Sequence, residues 1–230
     1  MQVFLLTHTP DPLKTVAMAA KLCYSPSKIA ELAERVEGED QAGFVDKIIS
    51  MGHLSVLEHA VFTFGVEGIS RATSHQLVRH RVASYSQQSQ RYVKVGESFE
   101  HVVPHTVSGD GELLRKFEDA VSMIHEVYGE LVDAGVPAED ARYLLPNAAA
   151  TKIIITMNAR ELLHFFSIRC CERAQWEIRD MSVEMLKLAM KAAPAFFRNS
   201  GPGCVRGKCT EGAMTCGNAD EVRKRFSQLL

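Results

Sequence analysis

Apolar residues recur along the chain at two spacings, and these spacings predict helices and strands. Spacings of three and four residues predict amphipathic helices that start at Asp11 and Asn158 and that cover 27–36, 42–51, 71–80, 112–134 and 175–193. Short apolar or alternating runs predict strands at 3–6, 61–66, 91–95 and 152–157. The polar stretch 84–90 is predicted to be a loop, and 194–217 an irregular tail.

The order of these elements predicts the fold class. Helices and strands neither alternate regularly nor repeat, so we expect an α+β fold with a mixed sheet flanked by helices, in a single domain. Ser70 and Asn158 are placed to cap helices, and Glu161 lies three residues after Asn158, as in a capping box. The 230 residues, 46% of them hydrophobic, are enough for one such core.

Composition argues against several classes of protein. A formal net charge of −2 indicates neither a nucleic-acid-binding protein nor a membrane-surface protein. No apolar run reaches the ~18 residues of a membrane span, and the first residues lack the basic start of a signal peptide. We therefore expect a cytoplasmic protein whose cysteines stay reduced.

One segment is nevertheless strongly basic. Between residues 71 and 94 there is no Asp or Glu, and the basic residues are Arg71, His75, Arg79, His80, Arg81, Arg91 and Lys94. Guanidinium groups beside serine hydroxyls suit a phosphate, and Gln76 and Arg79 can project from one helical face because they lie three residues apart. The segment indicates a phosphate site, although a solvated basic helix end would have the same composition.

The same segment carries a family motif. Arg79, His80 and Arg81, then seven residues, then Ser89 and Arg91 resemble the signature of the flavin-dependent thymidylate synthases. Blocks at 52–59, 142–146 and 158–179 are similar to the family in the same order. The resemblance extends to about Arg198, so we expect a synthase domain at 1–198 and a Gly/Cys-containing C-terminal tail at 199–230.

The resemblance implies an FAD enzyme that methylates dUMP to dTMP. Methylenetetrahydrofolate would give the carbon and NADPH would reduce the flavin. It also implies a homotetramer with FAD sites at subunit interfaces, where Ser55 reaches the flavin of another subunit. No Gly-x-Gly-x-x-Gly turn follows a predicted strand, so side-chain cations would hold the pyrophosphate. Neither nucleic acid nor membrane is an expected partner.

Family positions further imply which residues bind each ligand. The implied cofactor-binding residues are His53, Ser55, Arg79, His80, Arg81, Gln87, Asn158, Arg160 and His164. The implied dUMP-binding residues are Gln76, Arg79, Gln87, Gln88, Ser89, Gln90, Arg91, Arg142 and Arg169. Arg169 is the implied catalytic residue, which stabilises negative charge on the uracil ring. The alternative interpretation is that Arg169 is a buried structural arginine that pairs with Glu172 or Glu177.

Other interpretations stay open at this point. Ser89 could be a nucleophile, but no Asp-oriented His is visible beside it, which favours a phosphate ligand. The chain could be a flavin oxidoreductase of another phosphorylated pyrimidine, or a non-catalytic nucleotide- or RNA-binding protein. His53 and His59 with Glu58 fall short of a zinc site, and no metal is predicted.

The tail contains three cysteines, Cys204, Cys209 and Cys216. Three thiols are one short of a structural zinc set, although Cys170, Cys171 or another subunit could supply the fourth. The alternative is a disordered or docked tail that simply carries thiols.

Overall fold

The computed structural model of the chain describes residues 1–93 and 99–229. Contacts divide the chain into two compact units. The first unit consists of Met1–Gln2, Val66–Arg79 and Tyr85–Ile154, and the second of Val3–Gly65, His80–Ser84 and Ile155–Leu230. Each of the four strands contributes residues to both units, so the units are not consecutive domains and the single-domain prediction is confirmed.

The strands form one four-stranded sheet in the order β1-β2-β4-β3. They are β1 Gln2–His8, β2 Val61–Ser70, β3 Ala83–Gln87 and β4 Ala150–Asn158. The residue after one strand donates a hydrogen bond to a carbonyl near the start of the neighbouring strand in three places: Thr9 N to Val61 O, Arg71 N to Ala149 O, and Gln88 N to Lys152 O. Neighbouring strands are therefore antiparallel, and the prediction of a mixed sheet is wrong. An apolar pattern specifies the faces of a strand but not its direction.

The predicted helices are all present. In chain order, the helices are α1 Pro12–Leu22, α2 Ile29–Glu37, α3 Gln41–Ser50, α4 Arg71–Leu77, α5 His105–Ser108, α6 Gly111–Asp133, α7 Ala138–Ala141, α8 Ala159–Arg169, α9 Trp176–Ala192, α10 Pro194–Phe197, α11 Gly203–Arg206 and α12 Ala219–Ser227. Short 3-10 turns cover Leu54–His59, Arg142–Leu144 and Gly212–Met214. Within the described residues, no helix is both long enough and apolar enough to cross a membrane.

Phenylalanines form the centre of the core of the second unit. Phe62 of β2, Phe166 of α8 and Phe197 of α10 are fully buried. Phe197 meets both others edge to face, with ring centroids 5.4 Å from Phe62 and 5.9 Å from Phe166. Such pairs contribute about 0.5–1.5 kcal/mol each beyond the area that they bury. This cluster holds α8 in place relative to β2.

In the first unit, α4 and α6 bury parts of the faces that their sequences predict. Ser70 caps α4 by accepting a hydrogen bond from Thr73 N, as predicted. Val121 and Tyr128 of α6 are buried. Leu113 is 47% exposed because it lies in the first turn of α6, beyond the packed middle of the helix.

Residues 84–93 differ from their predictions. Ser84 to Gln87, predicted as loop, belong to β3. Because β3 lies at the edge of the sheet and leaves Ser84 and Ser86 exposed, it needs no apolar alternation. In the strand predicted at 91–95, residues 91–93 form a turn and bend, whereas 94–95 lie outside the described residues.

The tail is more ordered than predicted. The segment predicted as irregular contains α10 and α11, and α12 follows it. Val222 and Phe226 of α12 are buried, although most of its other side chains are polar. Three apolar residues in nine, one of them the small Ala219, are too few to reveal a packed helix by periodicity.

Candidate active site

The start of α8 is held by two hydrogen bonds. Asn158 Oδ1 accepts from the Glu161 N–H at 2.9 Å, so Asn158 is the N-cap that the sequence predicts. The Ala159 N–H donates to the Ala60 carbonyl at 2.7 Å. With the first turn held in this way, the Glu161 carboxyl group lies beside His80.

His80 lies in a buried hydrogen-bond network of the second unit. Its Nδ1 atom is 3.2 Å from Glu161 Oε1, and the Arg169 Nε–H donates to its Nε2 atom at 3.0 Å. Because a guanidinium can only donate, Nε2 must accept, and the ring proton lies on Nδ1 and is donated to Glu161. The network therefore sets the tautomer of His80 and orients the guanidinium plane of Arg169.

The surroundings of His80 keep it neutral. Burial, then the charge of Arg169, then His164, lower the pKa of His80 from its ordinary 6.5 to about 4. Burial raises the pKa of Glu161, against a smaller opposing effect of His164. At neutral pH, the His80–Glu161 contact is thus a hydrogen bond from an uncharged imidazole and not an ion pair.

His164 lies beside this network on α8, with its ring centroid 5.9 Å from that of His80. Ligand atoms of His80, Glu161 and His164 lie within 4.8 Å of one another, a separation compatible with a metal ion. Both His80 nitrogens already form hydrogen bonds, however, and the Arg169 cation would repel a metal. The arrangement instead favours a rigid support for His164, which is exposed.

A cavity of about 860 Å³ lies in the second unit. Its lining includes His53, Ser55 and Arg160, three residues that the sequence assigns to the cofactor. The volume falls in the range of about 300–1,000 Å³ that ligand sites commonly have. Arg160 Nη1 donates to Glu58 Oε1 at 2.5 Å, which limits the freedom of that guanidinium. Three of the predicted cofactor residues are therefore brought to one concave surface.

Another cavity, of about 600 Å³, lies in the first unit. Gln88, Ser89 and Gln90, which are predicted to bind dUMP, line it. Ser89 Oγ accepts a hydrogen bond from the Arg91 N–H at 3.1 Å. In the described part of the chain no histidine bonds to Ser89, so the arrangement favours a phosphate ligand over a nucleophile.

Two arginines that are predicted to bind dUMP meet at Glu139. Arg91 Nε donates to Glu139 Oε2 at 2.8 Å, and Arg142 Nε donates to the Glu139 carbonyl at 3.0 Å. The side chains of Arg91 and Glu139 are each about half exposed. A phosphate can therefore replace the carboxylate at Arg91 without the burial of new charge.

Arg71 is a further cation of this region that the predicted site did not include. Its Nη2 donates to the Gln88 carbonyl at 3.3 Å, and its buried Nε has no hydrogen-bond partner among the described residues. Burial, followed by the charge of Arg142, lowers the pKa of Arg71. In the sequence, the one indication that Arg71 belongs to this region was its position in the basic segment.

Ten predicted ligand residues line neither cavity within the described residues. Six of them are described above: His80, Arg91, Arg142, Asn158, His164 and Arg169. The other four are Gln76, Arg79, Arg81 and Gln87. Gln76 is half-buried on α4, where it donates to the Ala72 carbonyl at 3.4 Å, and Gln87 donates to Thr151 Oγ1 at 3.2 Å. Arg79 and Arg81 follow α4 and are exposed. Their ligand roles stay predictions.

Comparison with known proteins decides the family. The family described as "Thymidylate synthase complementing protein" matches residues 4–195. A flavin-dependent thymidylate synthase of Geobacter sulfurreducens is 60% identical, over 100% of this chain and 99% of that protein. The chain belongs to the flavin-dependent thymidylate synthases. Flavin-dependent thymidylate synthases of Clostridium tetani (47% identical, 98% and 97% covered) and Pyrococcus horikoshii (43% identical, 100% and 98% covered) are also similar to it.

In this flavin-dependent thymidylate synthase, the carboxylates of the site are what sequence reasoning missed. Glu161 holds His80, Glu139 holds Arg91, and Glu58 holds Arg160. Glu161 was noticed for its position in the first turn of α8, but that position does not reveal its partner. Of the two alternative partners of Arg169, Glu172 is not favoured, because it accepts hydrogen bonds from Arg179 and Arg225, whereas Glu177 stays an alternative.

Proposed function

We propose that this chain methylates dUMP at C5 to give dTMP, with methylenetetrahydrofolate as carbon donor and NADPH-reduced FAD as hydride source. The observation that carries the proposal is the convergence of His53, Ser55 and Arg160 on one cavity. Arg160 is more than a hundred residues from the other two along the chain, and family position assigns all three to the flavin.

The lining of that cavity suits FAD. Tyr24 and Phe44 offer aromatic faces, and Arg35 and Arg160 offer guanidinium groups to a pyrophosphate. When bound, FAD supplies the hydride. The remaining cofactor residues of the proposal are Arg79, His80, Arg81, Gln87, Asn158 and His164.

Arg169 is the residue that we assign to the chemistry. Its hydrogen bond to His80 directs the guanidinium plane, and a preorganised cation stabilises negative charge that develops on the uracil ring. The neutral state of His80 keeps a second positive charge away from Arg169. Substrate binding falls to Gln76, Arg79, Gln87, Gln88, Ser89, Gln90, Arg91 and Arg142.

We further propose a cytoplasmic homotetramer with FAD at subunit interfaces, in which Ser55 reaches the flavin of another subunit. Ser55 is exposed, and Phe4 and Leu6 of β1 are 45% and 53% exposed. Exposed apolar side chains on an edge strand are a surface that assembly can cover. Light scattering of the purified protein measures the number of subunits, and a monomeric mass would contradict this part of the proposal.

Absorption spectroscopy combined with product analysis tests the activity. The purified protein should carry or take up FAD, NADPH should bleach the flavin, and dTMP should form when both dUMP and methylenetetrahydrofolate are present. In a flavin oxidoreductase that acts on another pyrimidine, NADPH would bleach the flavin but methylenetetrahydrofolate would not be consumed. A nucleotide- or RNA-binding protein without flavin would show no such spectrum, and either result would refute the proposal.

A further inference from the structure

The C-terminal tail is folded and held by specific contacts. Arg223 of α12 donates hydrogen bonds to the carbonyls of Cys204 and Gly207, both at 2.8 Å. Gly201 packs so closely against Phe226 that a Cβ at this position would lie 2.6 Å from the ring. Its φ of +145° also favours glycine. The segment around α11 therefore has a defined position against α12.

Four cysteines line one small void in this part of the second unit. The void measures about 10 Å³. Cys171 follows the end of α8, Cys204 lies in α11, and Cys209 and Cys216 lie in the loop that leads to α12. The fold thus brings a fourth thiol, from outside the tail, to the three cysteines that the sequence places within it.

Two of these thiols, Cys171 and Cys204, interact electrostatically with others of the group. Burial raises the pKa of Cys171; a backbone hydrogen bond opposes this, and Glu211, Cys216 and Cys209 raise the pKa further. Burial raises the pKa of Cys204 as well, and the other three thiols add to that effect. These interactions show that the sulfurs of Cys171 and Cys204 lie near those of Cys209 and Cys216.

We propose that Cys171, Cys204, Cys209 and Cys216 bind one structural zinc ion. Four thiolates form a closed tetrahedral set for zinc, and the four residues between Cys204 and Cys209 match the spacers of such sites. Sulfur ligands do not suit calcium or magnesium, which prefer oxygen. Binding releases the thiol protons to solvent and transfers no electrons.

A zinc ion accounts for the order of a tail with little apolar core. The helix α12 buries Val222 and Phe226 and is otherwise mostly polar, and small folded segments of this kind commonly depend on a metal. Among the described residues, no three of these sulfurs lie within 4.8 Å of one another, so zinc binding requires the sulfurs to move closer together. Gly212, with a φ of +53°, lies between Cys209 and Cys216. Because Cys171 follows α8, the ion links the tail to the helix that carries Arg169.

Metal analysis of the full-length protein tests this proposal. Reduced protein is incubated with zinc chloride and then exchanged into metal-free buffer. It should retain one zinc ion per chain, as measured by inductively coupled plasma mass spectrometry. Cys209→Ser and Cys216→Ser should lose most of the zinc and melt at lower temperature. Cys23→Ser, which removes an exposed cysteine remote in sequence from the cluster, should keep it.

Cobalt(II) provides a second measurement, and its wild-type spectrum does not depend on the stability of the variants. In difference spectra against cobalt-free protein, the wild type should show the absorption of tetrahedral cobalt thiolate, and Cys209→Ser should not. Substoichiometric zinc, or equal zinc in Cys209→Ser and the wild type, would overturn the proposal. Iron with acid-labile sulfide, or disulfides among these four cysteines, would overturn it too. Thymidylate formation is not measured here, so the outcome is independent of the proposed function.

Discussion

The two units place two arginines that we assign to the site, Arg169 and Arg91, in different environments. In the second unit, Arg169 donates to His80, which is 6% exposed and already bonded to Glu161. In the first unit, Arg91 donates to Glu139, and both side chains are about half in solvent. The same side-chain chemistry is thus part of a buried network in one place and of a surface ion pair in the other.

This difference separates rigid positioning from exchangeable binding. A buried network with a set tautomer keeps its geometry before any substrate arrives, as a group that stabilises a transition state requires. A surface ion pair contributes about 0–1 kcal/mol, so a phosphate can displace Glu139 at small cost. We therefore expect substitutions in the network to affect turnover, and substitutions at the ion pair to affect affinity.

The largest expected effect follows the removal of the network arginine. Arg169→Ala should lower thymidylate formation by about 10²–10³, because one preorganised donor to developing charge is lost. NADPH oxidation with oxygen as acceptor should stay near normal, since it needs no pyrimidine chemistry. Both rates can be measured on one preparation, and Arg173→Ala, which removes an exposed arginine just after the same helix, is the matched control.

A combined loss of both activities together with bound FAD would contradict this assignment. In that case Arg169 supports the structure through His80, and the rigid network has no separate part in the chemistry. The melting temperature of Arg169→Ala distinguishes the two outcomes.

The next effect is on affinity. Arg91→Ala should weaken dUMP binding by about 1.5–3 kcal/mol, the usual value of a charge-assisted hydrogen bond to phosphate. Binding of deoxyuridine, which lacks the phosphate, should change little. Calorimetric titration of both ligands measures the difference, with Arg115→Ala on α6 as a control for the loss of an exposed guanidinium. Equal losses for the two ligands would remove Arg91 from the phosphate site.

A smaller effect concerns acid stability. The pKa of His80 is about 4 in the folded protein and 6.5 as its ordinary value, so below about pH 6.5 the unfolded chain binds a proton that the folded chain does not. The free energy of unfolding should fall by about 2 kcal/mol as the pH decreases through this window. Urea unfolding of the wild type and His80→Gln at about pH 7 and about pH 4.5 measures it. An identical pH dependence in both proteins would show that His80 is not held neutral.

The smallest expected effect is a gain in dUMP affinity, opposite in sign to the loss expected for Arg91→Ala. Glu139→Gln removes the carboxylate that competes with phosphate for Arg91, so dUMP affinity should increase by up to about 1 kcal/mol. The gain should shrink at high salt, because the competing pair is exposed. Weaker binding in this variant would mean that Glu139 positions Arg91 rather than competing for it.

The sequence allowed the helices to be predicted but not every strand. Regular apolar spacing and the side-chain caps Ser70 and Asn158 are local signals, and the structure confirms both caps. The edge strand β3 escaped prediction because Ser84 and Ser86 face solvent, so its sequence is as polar as that of a loop. Local pattern also carried no information on strand direction, which depends on pairing between distant segments.

The candidate site, too, could be predicted only in part, because local sequence pattern does not reveal contacts between distant segments. The ligand residues were assigned from a family resemblance, whereas their supporting carboxylates depend on contacts across the fold. Glu161 lies 81 positions from His80, and Glu139 lies 48 positions from Arg91. No rule of sequence spacing predicts such pairs. In the same way, only the folded structure shows that Cys171 lies with the three tail cysteines.

The hydrogen bond between Arg169 and His80 joins positions 89 residues apart, and this has an evolutionary consequence. An arginine at 169 is oriented when position 80 offers an acceptor, and an acceptor at 80 is satisfied when position 169 offers a donor. Selection therefore acts on the pair. In a library that randomises both positions, active clones should contain matched donor and acceptor combinations that a scan of single substitutions would reject.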